Sequence, residues 1–428
     1  MTRKIMKVLA FGLGMVAFAG GTAGADELGL RGPALPANAD EAMLDDGAAK
    51  TRLEIFERMT DFQEYVQGKP LELLRARQAG ALPNVGIKFG AGFTGTVVYE
   101  RTNTDGKFPI LSRLPGQHTG SSDTQWIVND AAWGAAVSAG DWLTGYAQLE
   151  YIDTRYPGEE DIQLRKAFGV VGNLDRFPLY AYFGRNTIDF GDMSTYNPFT
   201  HNMNTHFFWA LSKDPVLGVG AVYDGWHVVG TIIPEGRHQR TADTEGSDFF
   251  GNYALNATKV VDLGNGVRLK GGLGYLHRTI YNTVTPHHTG GMVAGQPRTD
   301  NAAVDANLTL GWGPFDVMAE YTTTLEDWPA TGEKVEALTV QGRYKDSILS
   351  YPTEYSAVYS RGDFGPNGSE FEFMEQMALG LETHIDENFS IGLEYVRNHG
   401  FAPLVNIQVT SDQSVKTDTF IAGIHVYF

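Results

Sequence analysis

The chain has 428 residues, no cysteine and a formal net charge of −18. The absence of cysteine excludes disulfides, thiolate metal sites and cysteine nucleophiles, and the acidity argues against nucleic acid as a partner. The 51 glycines, 24 phenylalanines, 19 tyrosines and 7 tryptophans suit tight turns and aromatic girdles at a membrane interface. Beyond the N-terminal region no run of about 18 apolar residues occurs, which excludes helical membrane spans.

The first 25 residues have the pattern of a secretory signal peptide. Three basic residues precede an apolar run over residues 8–19, and small residues at 23–25 form a cleavage site. The apolar run is too short to span a membrane. We therefore expect residues 1–25 to be removed and the mature chain to begin at Asp26.

Residues 26–83 are predicted to form a periplasmic linker with an amphipathic helix. One narrow apolar seam repeats at helical spacing and consists of Ile55, Met59, Phe62 and Val66. The seam predicts a helix over 46–67 that Gly68 and Pro70 end, and a second short helix is expected over 71–79. A helix packed under a barrel and a trimerising stalk fit this pattern about equally.

From residue 84 onwards the apolar period changes to two, which is typical of strands with one face to lipid and one to water. Seven short turns and eight longer polar segments alternate, which makes fifteen connections and sixteen strands. Strands near 124–138, 161–171 and 348–360 alternate poorly, so fourteen or eighteen strands remain open. The predicted fold is all-β, a transmembrane antiparallel up-and-down β-barrel over 84–428 with a short N-terminal periplasmic helix.

The last nine residues predict a closing strand. One face of this strand is apolar and consists of Phe420, Ala422, Ile424, Val426 and Phe428. A final strand that ends on an aromatic residue is typical of Gram-negative outer-membrane barrels, and the alternative is a buried last strand of a soluble sandwich. The expected location is the outer membrane, with its lipid and the barrel assembly machinery as partners.

No catalytic motif stands out along the chain. It lacks a G-x-S-x-G elbow, an H-E-x-x-H pair and a P-loop. We therefore expect neither an enzyme nor a bound cofactor or metal, and a pair formed by His201 and His206 is a weak metal candidate.

The segment 180–209 joins a strand to a long aromatic loop, the third external connection of a sixteen-strand barrel. If this loop folds inward, it narrows the lumen and acts as a selectivity filter. The candidate constriction residues are Arg185, Asp189, Asp192, His201 and His206. The alternative is a loop that only braces the barrel.

Further charged residues are predicted to line the pore. The acidic ones are Glu150, Asp305, Glu320, Glu382 and Glu394, and the basic ones are Arg268, Lys270 and Arg343. Because carboxylates outnumber cations, we expect a mild cation preference at low salt that fades as ionic strength rises.

The run Y-F-G-R-N-T-I-D-F-G-D-M-S-T-Y-N-P-F-T, residues 182–200, resembles the LbtU-like siderophore porins of Gram-negative bacteria. It is similar, more loosely, to phosphate- and sugar-selective porins. The first resemblance implies a barrel without a large plug domain that takes up iron chelates.

The function expected from the sequence is an outer-membrane porin for small polar solutes, with an iron chelate as one candidate solute. The expected assembly is a homotrimer. A phosphate- or sugar-selective porin is the alternative, followed by a surface-binding structural barrel and a barrel enzyme.

Overall fold

The computed structural model describes residues 52–60, 63, 65–114, 116–153, 160–201, 203–234, 238–239, 250–283, 288–297, 299–404 and 411–428. The predicted signal peptide and Phe62 of the predicted helix seam lie outside these residues. Within the described ranges, the structure contains no helix that is long and apolar enough to cross a membrane.

Sixteen antiparallel strands form one closed barrel in which neighbours along the chain are neighbours in the sheet. The strands are β1 (Val85–Thr102), β2 (Ser122–Ala139), β3 (Leu143–Tyr151), β4 (Ile162–Gly172), β5 (Leu179–Arg185), β6 (Val216–Tyr223), β7 (Trp226–Ile233), β8 (Asn252–Gly264), β9 (Val267–Leu276), β10 (Ala303–Trp312), β11 (Phe315–Thr324), β12 (Glu336–Ile348), β13 (Tyr351–Asp363), β14 (Phe373–Asp386), β15 (Phe389–Gly400) and β16 (Lys416–Tyr427). The barrel closes because β1 pairs with β16. The predicted fold class and the count of sixteen strands are confirmed.

Short and long connections alternate around the barrel. The turns at 224–225, 265–266 and 349–350 have two residues each, whereas the connection between β5 and β6 covers 186–215. We call this third long connection L3. Outside the barrel ladder, Leu211–Ser212 pairs with His238–Gln239 in a short two-stranded sheet.

Two register shifts explain why β2 and β4 alternate poorly in sequence. The ladder between β1 and β2 shifts between Thr94 and Gly95, which leaves Asn129 as an extra residue. The ladder between β3 and β4 shifts between Gln148 and Leu149 and leaves Arg165 as an extra residue. A bulge of this kind moves the following side chains to the opposite face, so a strict period of two cannot be read across it.

The outer wall of the barrel is apolar and its inner wall is polar. Phe89, Trp126 and Leu273 point outward and are 65%, 80% and 66% exposed, whereas Gln148 and Asn307 on the inner face are buried. Large apolar side chains with this exposure require lipid around them. The chain is therefore a transmembrane barrel of the outer membrane.

Two helices precede the first strand, α1 (Arg52–Met59) and α2 (Lys69–Gln78). α1 ends at Met59, before the predicted end at residue 67, and α2 begins two residues before the predicted range. Gly68 has a φ of 72° and directly precedes α2, and Pro70 lies in the first turn of α2. These two residues therefore start the second helix, in agreement with the preference for proline in a first helical turn.

α1 lies against the inner wall of the barrel. Phe56 is buried and contacts Gly90 and Gly134, which pair with each other across β1 and β2. A Cβ atom on Gly134 would lie 2.7 Å from the Phe56 ring, and one on Gly90 would overlap it. The ring of Tyr146 lies 6.1 Å from that of Phe56. The two inward glycines thus form a notch that accepts the aromatic side chain.

α2 is fixed to the inner wall at the end that carries the short turns. Arg77 Nη1 donates to Thr144 Oγ1 at 2.8 Å, and its Nη2 donates to the carbonyl of Gly172 at 2.7 Å. The helical segment therefore lies within the periplasmic end of the barrel, whereas the sequence led us to expect it in the periplasm. An apolar seam needs an apolar partner, and a local apolar patch on the otherwise polar inner wall, which includes Tyr146 and Phe168, provides one.

Deletion of Phe428 is expected to impair closure of the barrel. Its N–H donates to the carbonyl of Ala91 at 2.9 Å, and the N–H of Ala91 donates to the carbonyl of Phe428 at 3.2 Å. The deletion removes both hydrogen bonds and the terminal aromatic. We expect less heat-modifiable barrel in outer-membrane fractions on gels, whereas F428Y should assemble normally. An unchanged yield of the deletion variant would contradict the role given to this residue.

Candidate pore constriction

L3 folds into the lumen of the barrel. All side chains from 186 to 199 are buried, although a loop outside the barrel would be exposed along at least one side. Its backbone is irregular, so the N–H groups need partners other than those of a helix or sheet. The partners are side chains on the facing inner wall.

Two wall carboxylates each accept two consecutive N–H groups of L3. The bonds run from Asp192 N (2.7 Å) and Met193 N (2.9 Å) to Glu320 Oε1, and from Phe199 N (2.8 Å) and Thr200 N (3.1 Å) to Glu394 Oε2. Hydrogen bonds to a carboxylate are shorter and stronger than those between neutral groups. Glu320 and Glu394, which the sequence indicated as pore-lining charges, thus anchor the loop.

Further wall side chains complete the attachment of L3. Gln341 accepts from the N–H of Tyr196 at 3.0 Å and donates to the carbonyl of Ser194 at 2.9 Å. The guanidinium of Arg343 lies 4.8 Å from the centre of the Tyr196 ring, and Asn204 Nδ2 donates to Ser360 Oγ at 3.0 Å. L3 is therefore held along most of its length by the part of the wall formed by β11 to β15.

The two aspartates predicted at the constriction have different partners. Asp189 Oδ1 accepts from the N–H of Gly68 at 2.6 Å, and Asp192 Oδ2 forms an ion pair with Lys270 Nζ at 2.5 Å. Burial raises the pKa of the Asp189 carboxyl to about 6, although the hydrogen bond from Gly68 and the charge of Lys69 favour its ionised form. Asp189 thus contacts the N-terminal segment, and Asp192 contacts the wall.

The chain between α1 and α2 packs directly on L3. We call Gln63 and residues 65–68 the crossing segment. Its contacts with L3 are Gln63 Nε2 to the carbonyl of Pro198 (3.0 Å), Thr195 N to the carbonyl of Gln63 (3.0 Å) and Gln67 Nε2 to the carbonyl of Phe190 (3.1 Å). Gln63 Nε2 also donates to Glu382 Oε2 at 3.0 Å. L3 and the crossing segment therefore form one hydrogen-bonded layer inside the barrel.

The two histidines predicted at the constriction lie in an aromatic stack. The rings of His201 and His206 are 4.3 Å apart, and that of His206 is 5.3 Å from Trp209. The guanidinium of Arg165 lies 5.0 Å from the Trp209 ring. Among the described residues, no group of three or more His, Asp or Glu side chains fits a metal ion. Arg185 ends β5 and pairs with Ala167 of β4 in the ladder.

The remaining predicted lining residues are on the inner wall, and most have charged or polar partners. Arg165 Nε lies 3.4 Å from Glu150 Oε2, Arg343 Nη2 lies 2.8 Å from Asp316 Oδ2, Thr322 Oγ1 donates to Asp305 Oδ2 at 2.6 Å, and Ser390 Oγ donates to Glu382 Oε1 at 2.5 Å. Arg268 is half-buried on the inner face of β9. Because the carboxylates are engaged in this way, counting them overstates the charge that faces a solute.

A cavity of about 120 Å³ with several charged lining residues remains beside L3. The crossing segment, α2, L3 and the wall strands β7 to β11 enclose it, and its charged lining residues are Glu72, Arg75, Asp189, Asp192 and Lys270. Three residues from the sequence-based sets therefore meet here, namely Asp189, Asp192 and Lys270. The contribution of α2 and the crossing segment was missed, since nothing in the helix seam indicates that it enters a barrel.

An aromatic cluster covers L3 on the side of the long loops. It joins L3 to the fifth, sixth, seventh and eighth long connections through the ring pairs Phe208–Tyr281 (5.0 Å), Tyr281–Trp328 (5.3 Å), Phe207–Phe364 (6.5 Å) and Phe364–Phe401 (6.0 Å). All six side chains are buried. L3 is thus packed between an aromatic layer at the external end and the crossing segment at the periplasmic end.

Solved structures with a similar fold are outer-membrane porins. An anion-selective porin from Comamonas acidovorans has a TM-score of 0.54 and 12% identity, over 80% of this chain and 99% of that chain. OprB of Pseudomonas putida has a TM-score of 0.54 and 12% identity, over 82% and 96%. OmpT of Vibrio cholerae in a trimer form has a TM-score of 0.51 and 12% identity, over 81% and 100%. At this identity the likeness shows the barrel fold.

Sequence relatives are more limited. No protein-family model matches the chain. A UPF0422 protein of Coxiella burnetii is 30% identical over 90 residues, which are 21% of this chain and 19% of that protein. The match therefore spans about a fifth of each protein, and what the two share is a segment.

Replacement of Glu394 by alanine is expected to loosen L3. The variant leaves the N–H groups of Phe199 and Thr200 without their acceptor, and each unsatisfied buried group costs about 1–3 kcal/mol. We expect noisier and larger single-channel currents in planar bilayers than for the unchanged protein. E394Q keeps one acceptor oxygen and should give an intermediate result. Currents of E394A that match the unchanged protein would rule out an anchoring role.

Proposed function

We propose that the protein is an outer-membrane pore for small polar solutes and that L3 and the crossing segment together set its width. The observation that carries this proposal is the cavity of about 120 Å³ with charged lining residues that both elements line. A closed barrel with a polar inner wall is suited to passage of water-soluble molecules. Charged and polar groups around a narrow passage select among such molecules.

The small size of the cavity favours small solutes over an iron chelate. Sites for drug-sized ligands have volumes of roughly 300–1,000 Å³, several times the volume of this cavity. An iron chelate would pass only if the crossing segment or L3 moved. Iron-chelate uptake therefore remains a second proposal, which rests on the resemblance of residues 182–200 and requires such a movement.

We further propose that the protein assembles as a homotrimer. An apolar groove of about 750 Å³ runs along the outer wall beside the β1–β16 seam, and Phe93, Trp126, Leu393 and Ile424 line it. A second copy would bury this surface, and OmpT of Vibrio cholerae, which has a similar barrel, forms a trimer. Chemical crosslinking in isolated outer membranes should give a trimer band. Monomer alone would argue against this assembly.

Removal of the helical segment is expected to widen the pore. A mature chain that begins at Leu82 keeps all sixteen strands but lacks α1, α2 and the crossing segment, which lie inside the barrel. We expect it to insert and to show a severalfold larger single-channel conductance than the full mature chain. Equal conductance of the two proteins would contradict the proposal that this segment sets the pore width.

A pair of glycine variants in the full chain provides the matched control. G90L places a side chain where the Phe56 ring lies, so α1 must shift and the conductance should rise. In G169L a new Cβ atom meets nothing within 4 Å, and the conductance should stay unchanged. A rise in both variants would point to a general effect of leucine in the strands.

A further inference from the structure

The first long connection, residues 103–121 between β1 and β2, has an apolar core of its own. We call this connection L1. Its side chains Phe108, Ile110, Leu111 and Leu114 are buried, and a short 3₁₀ turn covers Leu111–Arg113. Connections that run over the outside of a protein are mostly polar and exposed. The burial of these four side chains therefore requires an apolar partner surface.

An apolar patch on the inner wall of the barrel is that partner. It forms one cluster of buried side chains with L1, and its members lie in the external halves of β1, β2 and β13 to β16: Val98, Ile127, Val358, Ala378, Val396 and Ile421. They point inward, since each is buried whereas an outward position such as Phe420 is 55% exposed. L1 therefore folds into the external end of the lumen.

The carboxylate of Glu100 anchors L1 as Glu320 and Glu394 anchor L3. Glu100 Oε1 accepts from the N–H of Ile110 at 3.3 Å, and its Oε2 accepts from the N–H of Leu111 at 2.8 Å. The side chain of Glu100 lies on β1 and is fully buried. Because a carboxylate binds N–H groups more strongly than a neutral acceptor does, this contact fixes the 3₁₀ turn of L1 against the wall.

L1 lies on the external side of L3. A Cβ atom on Gly423 of β16 would lie 2.8 Å from the ring of Phe199 on L3, whereas Ile421, nearer the external end of β16, packs in the cluster with L1. Further out, Lys107 forms an ion pair with Asp412 of the eighth long connection. L1 is thus held between the eighth long connection and L3.

We propose that L1 forms a second constriction at the external entrance of the pore and that Glu100 is its positioning residue. The aromatic cluster narrows this entrance from the side of the fifth to eighth long connections, and L1 narrows it from the side of β1 and β2. A solute from outside meets L1 before it reaches the cavity beside L3. L1 therefore limits solute size at the entrance, whereas L3 and the crossing segment act deeper. This proposal rests on the proposed pore function.

The test measures which neutral polymers enter the pore of the full mature chain from each side of a planar bilayer. Polyethylene glycol that enters a channel lowers its current, so a graded series of polymer masses gives the size limit of each entrance. L111D places a carboxylate in the apolar cluster beside Glu100, which expels L1 from the lumen. We expect its size limit to shift to larger polymers on one side of the bilayer only.

The chain that begins at Leu82 identifies the two sides. It keeps L1 but lacks the helices at the periplasmic end, so its size limit should shift on the side opposite to that of L111D. A shift of L111D on both sides, on neither side, or on the same side as the shortened chain would overturn the proposal. A protein without any current would instead refute the proposed pore.

Matched variants separate L1 from general damage. L349D makes the same substitution at an 87% exposed site between β12 and β13, and both size limits should stay unchanged. A shift in L349D would assign the effect to the added charge and contradict the proposal. If L111D does not assemble, a chain in which a short Gly-Ser linker replaces residues 105–119 is judged by the same criterion, because both flanking strands stay intact.

The positioning role of Glu100 has its own readout. E100A leaves the N–H groups of Ile110 and Leu111 without an acceptor, so its size limit should shift on the same side as that of L111D. E100Q keeps one acceptor oxygen and should shift it less. The limit on the other side should match that of the unchanged protein in both variants. Unchanged limits on both sides in E100A would refute this role.

Discussion

The arrangement inside this barrel depends on wall carboxylates that accept backbone N–H groups of L3. A buried N–H group without a partner costs about 1–3 kcal/mol, and an irregular loop cannot pair its N–H groups within itself as a helix does. The carboxylates of Glu320 and Glu394 together accept hydrogen bonds from four N–H groups of L3. Gln341 on β12 adds a donor and an acceptor between them. L3 is held to one side of the barrel wall because these acceptors lie on β11, β12 and β15.

The same contacts reduce the effect of the inward-facing charges on the ion selectivity of the pore. A carboxylate that accepts two N–H groups has part of its charge offset by their dipoles, and Asp192 is offset by Lys270 at 2.5 Å. Charges that are paired at such distances contribute little to the field at a distance. The selectivity of the pore therefore depends more on the few groups that line the remaining cavity than on the total number of acidic residues.

The sequence was sufficient to predict the barrel and to indicate an inward loop over 180–209, but not the contacts that hold this loop or the entry of the N-terminal segment into the lumen. Alternation along most strands and the order of short and long connections predicted sixteen strands, because both follow from local geometry and a period of two. The extra residues at the bulges, Asn129 and Arg165, could not be identified from the sequence, because one extra residue moves the apolar pattern to the other face of the strand. The position of α1 depends on Phe56 meeting Gly90 and Gly134, a contact between residues distant in sequence that no local pattern encodes. The anchoring role of Glu320 and Glu394 was missed for the same reason.

L3 and the N-terminal segment also depend on each other. Gln63, Gln67 and Gly68 bond to L3, and Asp189 on L3 accepts from Gly68, so a shift of either element removes partners from the other. The cavity between them takes Gln67 from the crossing segment, Asp189 from L3 and Asn256 from the wall. No two of these residues come from one element, so the cavity forms only when barrel, loop and N-terminal segment are assembled. A cavity of this kind leaves no motif in the sequence, because its lining residues are far apart along the chain and are brought together only by the assembled fold.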